Sequence, residues 1–479
     1  MDSLIYKSIE KETPNSKLTV EGQIPEWLSG DLIRNGPAKF EVGDYKLNHW
    51  FDGYSMIHKF SIQDGKVYYK SKFLQSNDYI KSTSANYIKN RSWGTVADPC
   101  ASIFNKFFSA FTKPEASNAS VSILKNGNRI AAVSDFSSMV EFDINTLETK
   151  GDVKFSDQFG NDYMFSAAHS CYDPDTKEIF NCLGKPGPKG NFSFVKISES
   201  TFERKPFGSL SAPKHTYFHS YALTKNYFIF IEQPLELNIW QLMFSRFLNR
   251  PYEACLHWKP ENGTKFHLVN RLNGEVKTFK STPFFFFHTV NAFEEANEVI
   301  IDLCLYNDPS VIKDLYLDKL KQNGLKKESM SLLYRAKINL EIGTVDLIQL
   351  SDIPLDLPSF NMTRACKSYN YVYGLGLKET EDIEVNNQLV KIDVRSEDIK
   401  VWYHKGMYPS EPLFVGTPGS ASEDDGIILS VVLDIQKQSS FLLLLNASDF
   451  TEIARAYAPV HLPIGLHGMF YQNKHTSKF

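Results

Sequence analysis

One pattern limits what this chain can fold into more than any other. A short β-rich apolar run, a tight polar turn and a second apolar run recur from one end to the other. Residues 54–73 set Asp64-Gly65 between two such runs, the signature of a hairpin. Residues 119–143 repeat it around Asn126-Gly127-Asn128, and residues 217–231 around Thr224-Lys225-Asn226. Residues 284–306 turn near Glu295–Asn297, and 425–450 carry the pattern to the C-terminal part. Helical periodicity is confined to short stretches at 100–111, 237–249 and 311–323. Many short antiparallel strands with no low-complexity linker predict an all-β sandwich, barrel or propeller. No WD or kelch signature occurs, so periodicity alone leaves the number of blades open.

Closed β architectures of this kind can carry 479 residues as one domain. Aromatics make up 14% of the chain, including 36 Phe and 23 Tyr. They suit strands, and they also suit an apolar binding cavity. A net charge of −4 gives no general attraction to nucleic acid or anionic lipid. The six cysteines are scattered without a CxxC pair, which fits neither a disulfide framework nor a zinc ribbon. The N-terminus lacks the apolar segment of a secretory signal, and no run of about 18 apolar residues could span a bilayer. A reducing, cytoplasmic location without secretion is the expectation.

The histidines carry the strongest chemical signal. His169, His219 and His288 stand in similar settings, AHS, FHS and FHT, each followed by a turn and an apolar strand. His467 lies in PIGLHGMF near the end of the chain. Any one alone would read as a core residue. Four in matching places on successive hairpins could converge on the axis of a closed β structure. Imidazole suits iron, zinc or copper at neutral pH, and spacing does not choose among them.

At this point the residues resemble a known family, the carotenoid cleavage oxygenases of animals. The resemblance rests on GDLIRNGPAKFEVGDYKLNHWFDGYSMIHKF at 30–60, ADPC at 97–100, FHSYALTKNYFIFIEQP at 218–234 and FFFFHTVNAFEE at 284–295. YVYGLG at 371–376, YPSEPLFV at 408–415, EDDGIILSVV at 423–432 and PIGLHGMF at 463–470 continue it in order over the whole chain. It implies a seven-bladed β-propeller, residues 1–479 as one domain, capped by loops and short helices. It implies iron(II) on the axis, held by His169, His219, His288 and His467, with dioxygen as co-substrate.

The resemblance also implies three carboxylates behind the histidines: Asp135, Asp356 and Glu411. The family has glutamate at all three places. Each aspartate is a methylene shorter, so its oxygen should fall short by roughly one C–C bond unless the backbone shifts or a water bridges. Acceptors of this kind fix the orientation and basicity of ligating imidazoles, and changing them can cost about 10–100-fold in affinity or activity.

The implied activity is oxidative cleavage of a carotenoid double bond to aldehydes such as retinal. Two alternatives stay open: retinyl ester isomerohydrolysis on the same iron, and an inactive propeller binding an apolar ligand. No Ser-His-Asp or Cys-His motif argues for another chemistry. A polyene needs long apolar walls, for which Phe284–Phe287 and the Phe107, Phe108, Phe111 group are candidates. A short helix within 98–114 would place Phe104, Phe107, Phe108 and Phe111 largely on one side, suited to peripheral attachment to a membrane. Cys100 matches a position that is S-palmitoylated in some relatives.

Overall fold

The computed structural model describes residues 3–97, 118–155, 157–159, 162–198, 201–245 and 249–472. Every hairpin expected from the sequence is present. Tyr54–Gln63 pairs with Lys66–Phe73 across Asp64-Gly65, and Phe285–Glu295 pairs with Glu298–Tyr306. The pairing exploits the period of two, which puts alternate side chains on opposite faces. In FFFF, Phe284 and Phe286 join the core between neighbouring sheets, whereas Phe285 and Phe287 face the opposite way, into the cap.

Among the described residues the strands form seven sheets of four to six strands, arranged in chain order as the blades of a propeller. Blade 1 is built on Gly30–Lys39, Tyr54–Gln63 and Lys66–Phe73. Blade 2 spans Ser122–Asn126 to Thr149–Asp152, blade 3 Phe165–Ser166 to Arg204–Ala212, and blade 4 Ala222–Leu223 to Val276–Ser281. Blade 5 spans Phe285–Glu295 to Val345–Pro354, blade 6 Asp356–Phe360 to Ile399–Tyr403, and blade 7 Met407–Pro409 to Glu452–Tyr457. Apolar clusters fill the gaps between blades. One joins Leu124 and Val133 of blade 2 to Ile197 of blade 3, and another joins Leu375 of blade 6 to Phe441 of blade 7.

Both ends of the chain close the ring. Thr19–Gly22 adds an outer strand to blade 7, with Thr19 opposite Tyr457. Gly468–Gln472 adds the innermost strand of blade 1, with Gly468 opposite Arg34. Each closing strand replaces solvent-exposed backbone edges with ladder hydrogen bonds.

The helices are short and lie in the cap. The helical stretch expected over 311–323 is two pieces, Ser310–Asp314 and Leu317–Asn323, because the chain leaves helical geometry at Leu315 and Tyr316. The stretch at 237–249 gives Ile239–Phe244, capped by the Asn238 side chain accepting from Gln241 N–H. The segment 100–111, with Cys100, Phe104, Phe107, Phe108 and Phe111, lies outside the described residues. No helix among the described residues is long and apolar enough to cross a membrane.

Candidate metal centre

All seven blades send one side chain to the axis. His169 lies in the inner loop of blade 3, between Phe165–Ser166 and Cys171–Asp173. His219 precedes the inner strand of blade 4, His288 lies within that of blade 5, and His467 precedes that of blade 1. Asp135, Asp356 and Glu411 come from blades 2, 6 and 7. The strand carrying His288 shifts register across it, between Phe286 and Thr289, and again between Thr289 and Ala292. Such bulges re-aim side chains.

The backbone around the histidines is tied down. Ser220 Oγ donates to Phe287 O and accepts from Thr289 N–H, linking the segments that carry His219 and His288. Asn181 Nδ2 donates to Ala167 O and to Ser170 Oγ, flanking His169. His467 N–H donates to Val121 O, and its carbonyl accepts from Asn35 N–H at 2.8 Å.

The four imidazoles meet. One ring nitrogen from each of His169, His219, His288 and His467 lies within 4.8 Å of all the others. Nε2 of His169 is 3.2 Å from Nε2 of His219, and Nε2 of His288 is 3.2 Å from Nε2 of His467. Three of the outward Nδ1 atoms meet carboxylates: His219 with Asp135 at 2.8 Å, His288 with Asp356 at 2.6 Å, and His467 with Glu411 at 2.7 Å. With the proton on Nδ1, each of these rings turns a lone pair inward. Burial and then the neighbouring imidazoles hold His169 and His467 well below the usual histidine range, which keeps them neutral. A cluster of four imidazole nitrogens fits a first-row transition ion.

Both aspartates reach their histidines directly, contrary to the shortfall expected from side-chain length. At Asp356 the backbone supplies the missing reach: register shifts between Asp356 and Ser359, and Leu357 adopts φ 49°. Leu357 N–H donates to Asp356 Oδ1 at 2.8 Å. Burial alone would raise the Asp356 carboxyl, but His288, Tyr306 and that N–H together hold it below its ordinary value.

Three partners were not read from the sequence. Tyr217 hydroxyl donates to Asp135 Oδ2 at 2.8 Å, and Tyr306 hydroxyl donates to Asp356 Oδ2. Burial, then the adjacent carboxylate, raises both phenols well above the usual value, so they remain donors. Arg34 Nη1 donates to Glu411 Oε2 at 2.6 Å, and Arg34 Nη2 to Leu466 O at 2.9 Å. Burial pushes the Glu411 carboxyl up to about 7 against the pull of Arg34. Tyr217 had a local signal, since it stands two residues before His219. Arg34 stood within the quoted 30–60 segment but is 377 residues from its partner.

A cavity of about 1120 Å³, counted with its mouth, opens beside the cluster. His219, His288 and His467 reach it, and Trp50, Phe51, Trp93, Phe136 and Phe287 form much of its wall. Of the FFFF run, only Phe287 lines it. A smaller cavity, sharing Trp93, Asp135, Phe136 and Tyr252, continues toward Leu242 and Leu256.

Known proteins match this arrangement. A family model described as "Retinal pigment epithelial membrane protein" covers residues 6–472. A mitochondrial carotenoid-cleaving dioxygenase of Macaca fascicularis is 32% identical over 97% of this chain and 94% of its own length. The human beta,beta-carotene 15,15'-dioxygenase is 32% identical over 98% of this chain and 94% of its own. A mutant Synechocystis apocarotenoid oxygenase superposes with a TM-score of 0.86 at 25% identity, over 98% of each chain. The cobalt-substituted form of that oxygenase gives 0.87 over the same share.

Proposed function

This chain belongs to the family of the retinal pigment epithelial membrane protein and the carotenoid-cleaving oxygenases, and on that premise we propose that it is an iron(II)-dependent dioxygenase cleaving one double bond of a carotenoid to two aldehydes, retinal among them. The observation that carries this reading is the convergence of four imidazoles, three with a carboxylate on the outward nitrogen.

His169, His219, His288 and His467 hold the ion, and Asp135, Asp356 and Glu411 orient three of them. An iron(II) ion held there would place two positive charges in front of Asp135, Asp356 and Glu411, the last of which also pairs with Arg34. When bound, iron(II) at these four histidines would supply Lewis-acid and redox chemistry for dioxygen. The reaction joins one oxygen atom to each carbon of the broken C=C bond and needs no protein nucleophile.

The protein's own contribution is largely positional. Trp50, Phe51, Phe136 and Phe287 form apolar walls that hold an extended polyene beside the histidines and keep bulk water out. A hydrocarbon offers no hydrogen bonds, so the choice of bond follows from where the cavity ends.

Peripheral membrane attachment fits the same reading. Trp240, Met243 and Phe244 are 60%, 49% and 51% exposed on one short helix, whose Leu242 faces inward onto the smaller cavity. An exposed apolar patch beside an apolar channel suits uptake of a lipid-dissolved substrate from a cytoplasmic membrane face. Residues 1–479 act as one domain in this scheme.

The test is incubation of iron-loaded protein with β-carotene under ¹⁸O₂. Aldehydes labelled from dioxygen are expected, together with one iron per chain by elemental analysis. Stoichiometric zinc without iron would overturn the metal assignment. Retinol formed from a retinyl ester without dioxygen uptake would assign isomerohydrolysis instead.

A further inference from the structure

The cavity wall holds a cation that no acid pairs among the described residues. Arg91 is 9% exposed and lines the main cavity. Its guanidinium stacks 4.3 Å from the Tyr252 ring centroid, and Nη2 makes one long contact, 3.4 Å, to Leu242 O. Among the described residues, the buried Nε and Nη1 have no hydrogen-bond partner. The four acids of the same wall are engaged elsewhere, Asp135 and Asp356 with their histidines. Asp52 accepts from Gly94 N–H and Thr95 hydroxyl, and Asp78 accepts from Asn90. A guanidinium does not lose its proton in a protein. Burying it with two N–H groups unsatisfied is costly, and a single ring contact does not replace them. Trp50 and Trp93, in the same wall, also leave their indole N–H groups unbonded. An apolar cavity with unsatisfied donors is built for a ligand that is mostly hydrocarbon and carries an acceptor oxygen.

The geometry points to Arg91 as the seat for the oxygenated end of the substrate, so that the preferred polyene is one ending in a carboxylate rather than a pure hydrocarbon. A carboxylate fits because Nε is unbonded and Nη2, on the same side of the guanidinium, has two hydrogens and only the one long contact, so the two present a planar fork that can bind both of its oxygens. The position also suits the reaction. Arg91 stacks on Tyr252, Tyr252 meets Phe136 at 5.2 Å between ring centroids, and Phe136 follows Asp135, which holds His219. An acid anchored at Arg91 would lay its conjugated chain along Tyr252 and Phe136 toward the histidines. This inference rests on the proposed polyene cleavage and adds which end of the polyene is recognised.

The experiment reads binding and turnover separately. Iron-loaded full-length protein is kept under argon and titrated with apo-8′-carotenoic acid or its methyl ester, with quenching of tryptophan emission as the signal. The acid should bind about 10–100-fold more tightly than the ester, the range of a charge-assisted pair. In Arg91→Met the two should converge, and Arg91→Lys should keep only part of the preference because it lacks the fork. Under air, the ratio of kcat/KM for the acid to that for β-carotene should fall at least 10-fold in Arg91→Met. Equal binding of acid and ester to the unmodified protein overturns the proposal, as does a preference that survives Arg91→Met. Should Arg91→Met not fold, an undiminished preference in Arg91→Lys overturns it equally. Arg91-dependent binding without cleavage of any polyene would leave this site standing and remove the cleavage reading. Cleavage of β-carotene without acid preference would do the reverse.

Discussion

Asp356 Oδ1 lies 2.6 Å from Nδ1 of His288, while its other oxygen accepts from the hydroxyl of Tyr306. One carboxylate thus fixes an axial histidine and is itself fixed by a residue 50 positions away. The aspartate reaches because the strand bulges at this point and Leu357 takes a left-handed conformation. Asp356→Asn presents an amide to one of the two partners and removes the charge that favours Nδ1–H. Iron affinity should fall about 10–100-fold, measured by competition with a chromophoric chelator, with the fold retained by circular dichroism. Unchanged affinity would show that this carboxylate does not support the metal.

Replacement of any one of His169, His219, His288 or His467 by Ala should remove turnover and reduce iron per chain, read by elemental analysis. His169 differs from the others in that, among the described residues, no carboxylate meets its outward nitrogen. Added imidazole should therefore restore more activity to His169→Ala than to His288→Ala. Equal rescue, or none in either, would count against this difference in anchoring.

Arg34 and Glu411 form a buried ion pair, with side chains 4% and 8% exposed. Arg34→Met strands Glu411 in the interior and should destabilise the protein by about 3–5 kcal/mol, the usual result of removing one partner of a buried pair. Arg34→Lys should recover only part of this, since Arg34 also donates to Leu466 O and lysine cannot serve both acceptors in the same plane. Denaturant midpoints decide the order of the three proteins.

Ring closure constrains Gly36. A Cβ there would lie 2.7 Å from Gly465 Cα and 3.0 Å from Leu466 N, in the segment that delivers His467. Gly36→Ala should cost about 1–3 kcal/mol by overpacking and should also lower iron retention. Gly65→Ala is the contrast. Its Cβ would meet nothing within 4 Å, although φ is +67°, so it should cost about 1 kcal/mol and leave iron content unchanged. Equal iron retention in the two variants would separate closure from the metal centre.

His49 predicts acid sensitivity away from the metal. Its Nε2 donates to Ile312 O at 2.8 Å and its Nδ1 accepts from Phe51 N–H. Burial lowers it to about 4, against about 6.5 in an unfolded chain. Between these values the unfolded state binds the extra proton. Its contribution to stability is therefore constant above pH 6.5, declines as pH falls toward 4, and changes no further below that. The loss is on the order of 3 kcal/mol. His49→Gln can keep both hydrogen bonds without titrating, so its unfolding midpoint should drop less than that of the unmodified protein between pH 7 and 4.5. Parallel curves would refute the assignment.

Local sequence determined the strands, their turns and the faces of their side chains, because hairpin geometry depends on neighbouring residues and a period of two. It therefore marked FHS and FHT as equivalent places, whereas Phe284–Phe287 stood as one group of wall candidates from which only the structure picks Phe287. The matching settings also selected the four histidines. What they could not supply was the circle. Whether His467 meets His288, or Arg34 meets Glu411, depends on seven blades closing so that residues hundreds of positions apart become neighbours. The reach of Asp356 likewise depends on a bulge with no local composition signal, since a positive φ at leucine is imposed by its surroundings. The unpaired charge of Arg91 belongs to the same class: an arginine in a polar stretch reads as exposed until tertiary packing buries it in an apolar wall.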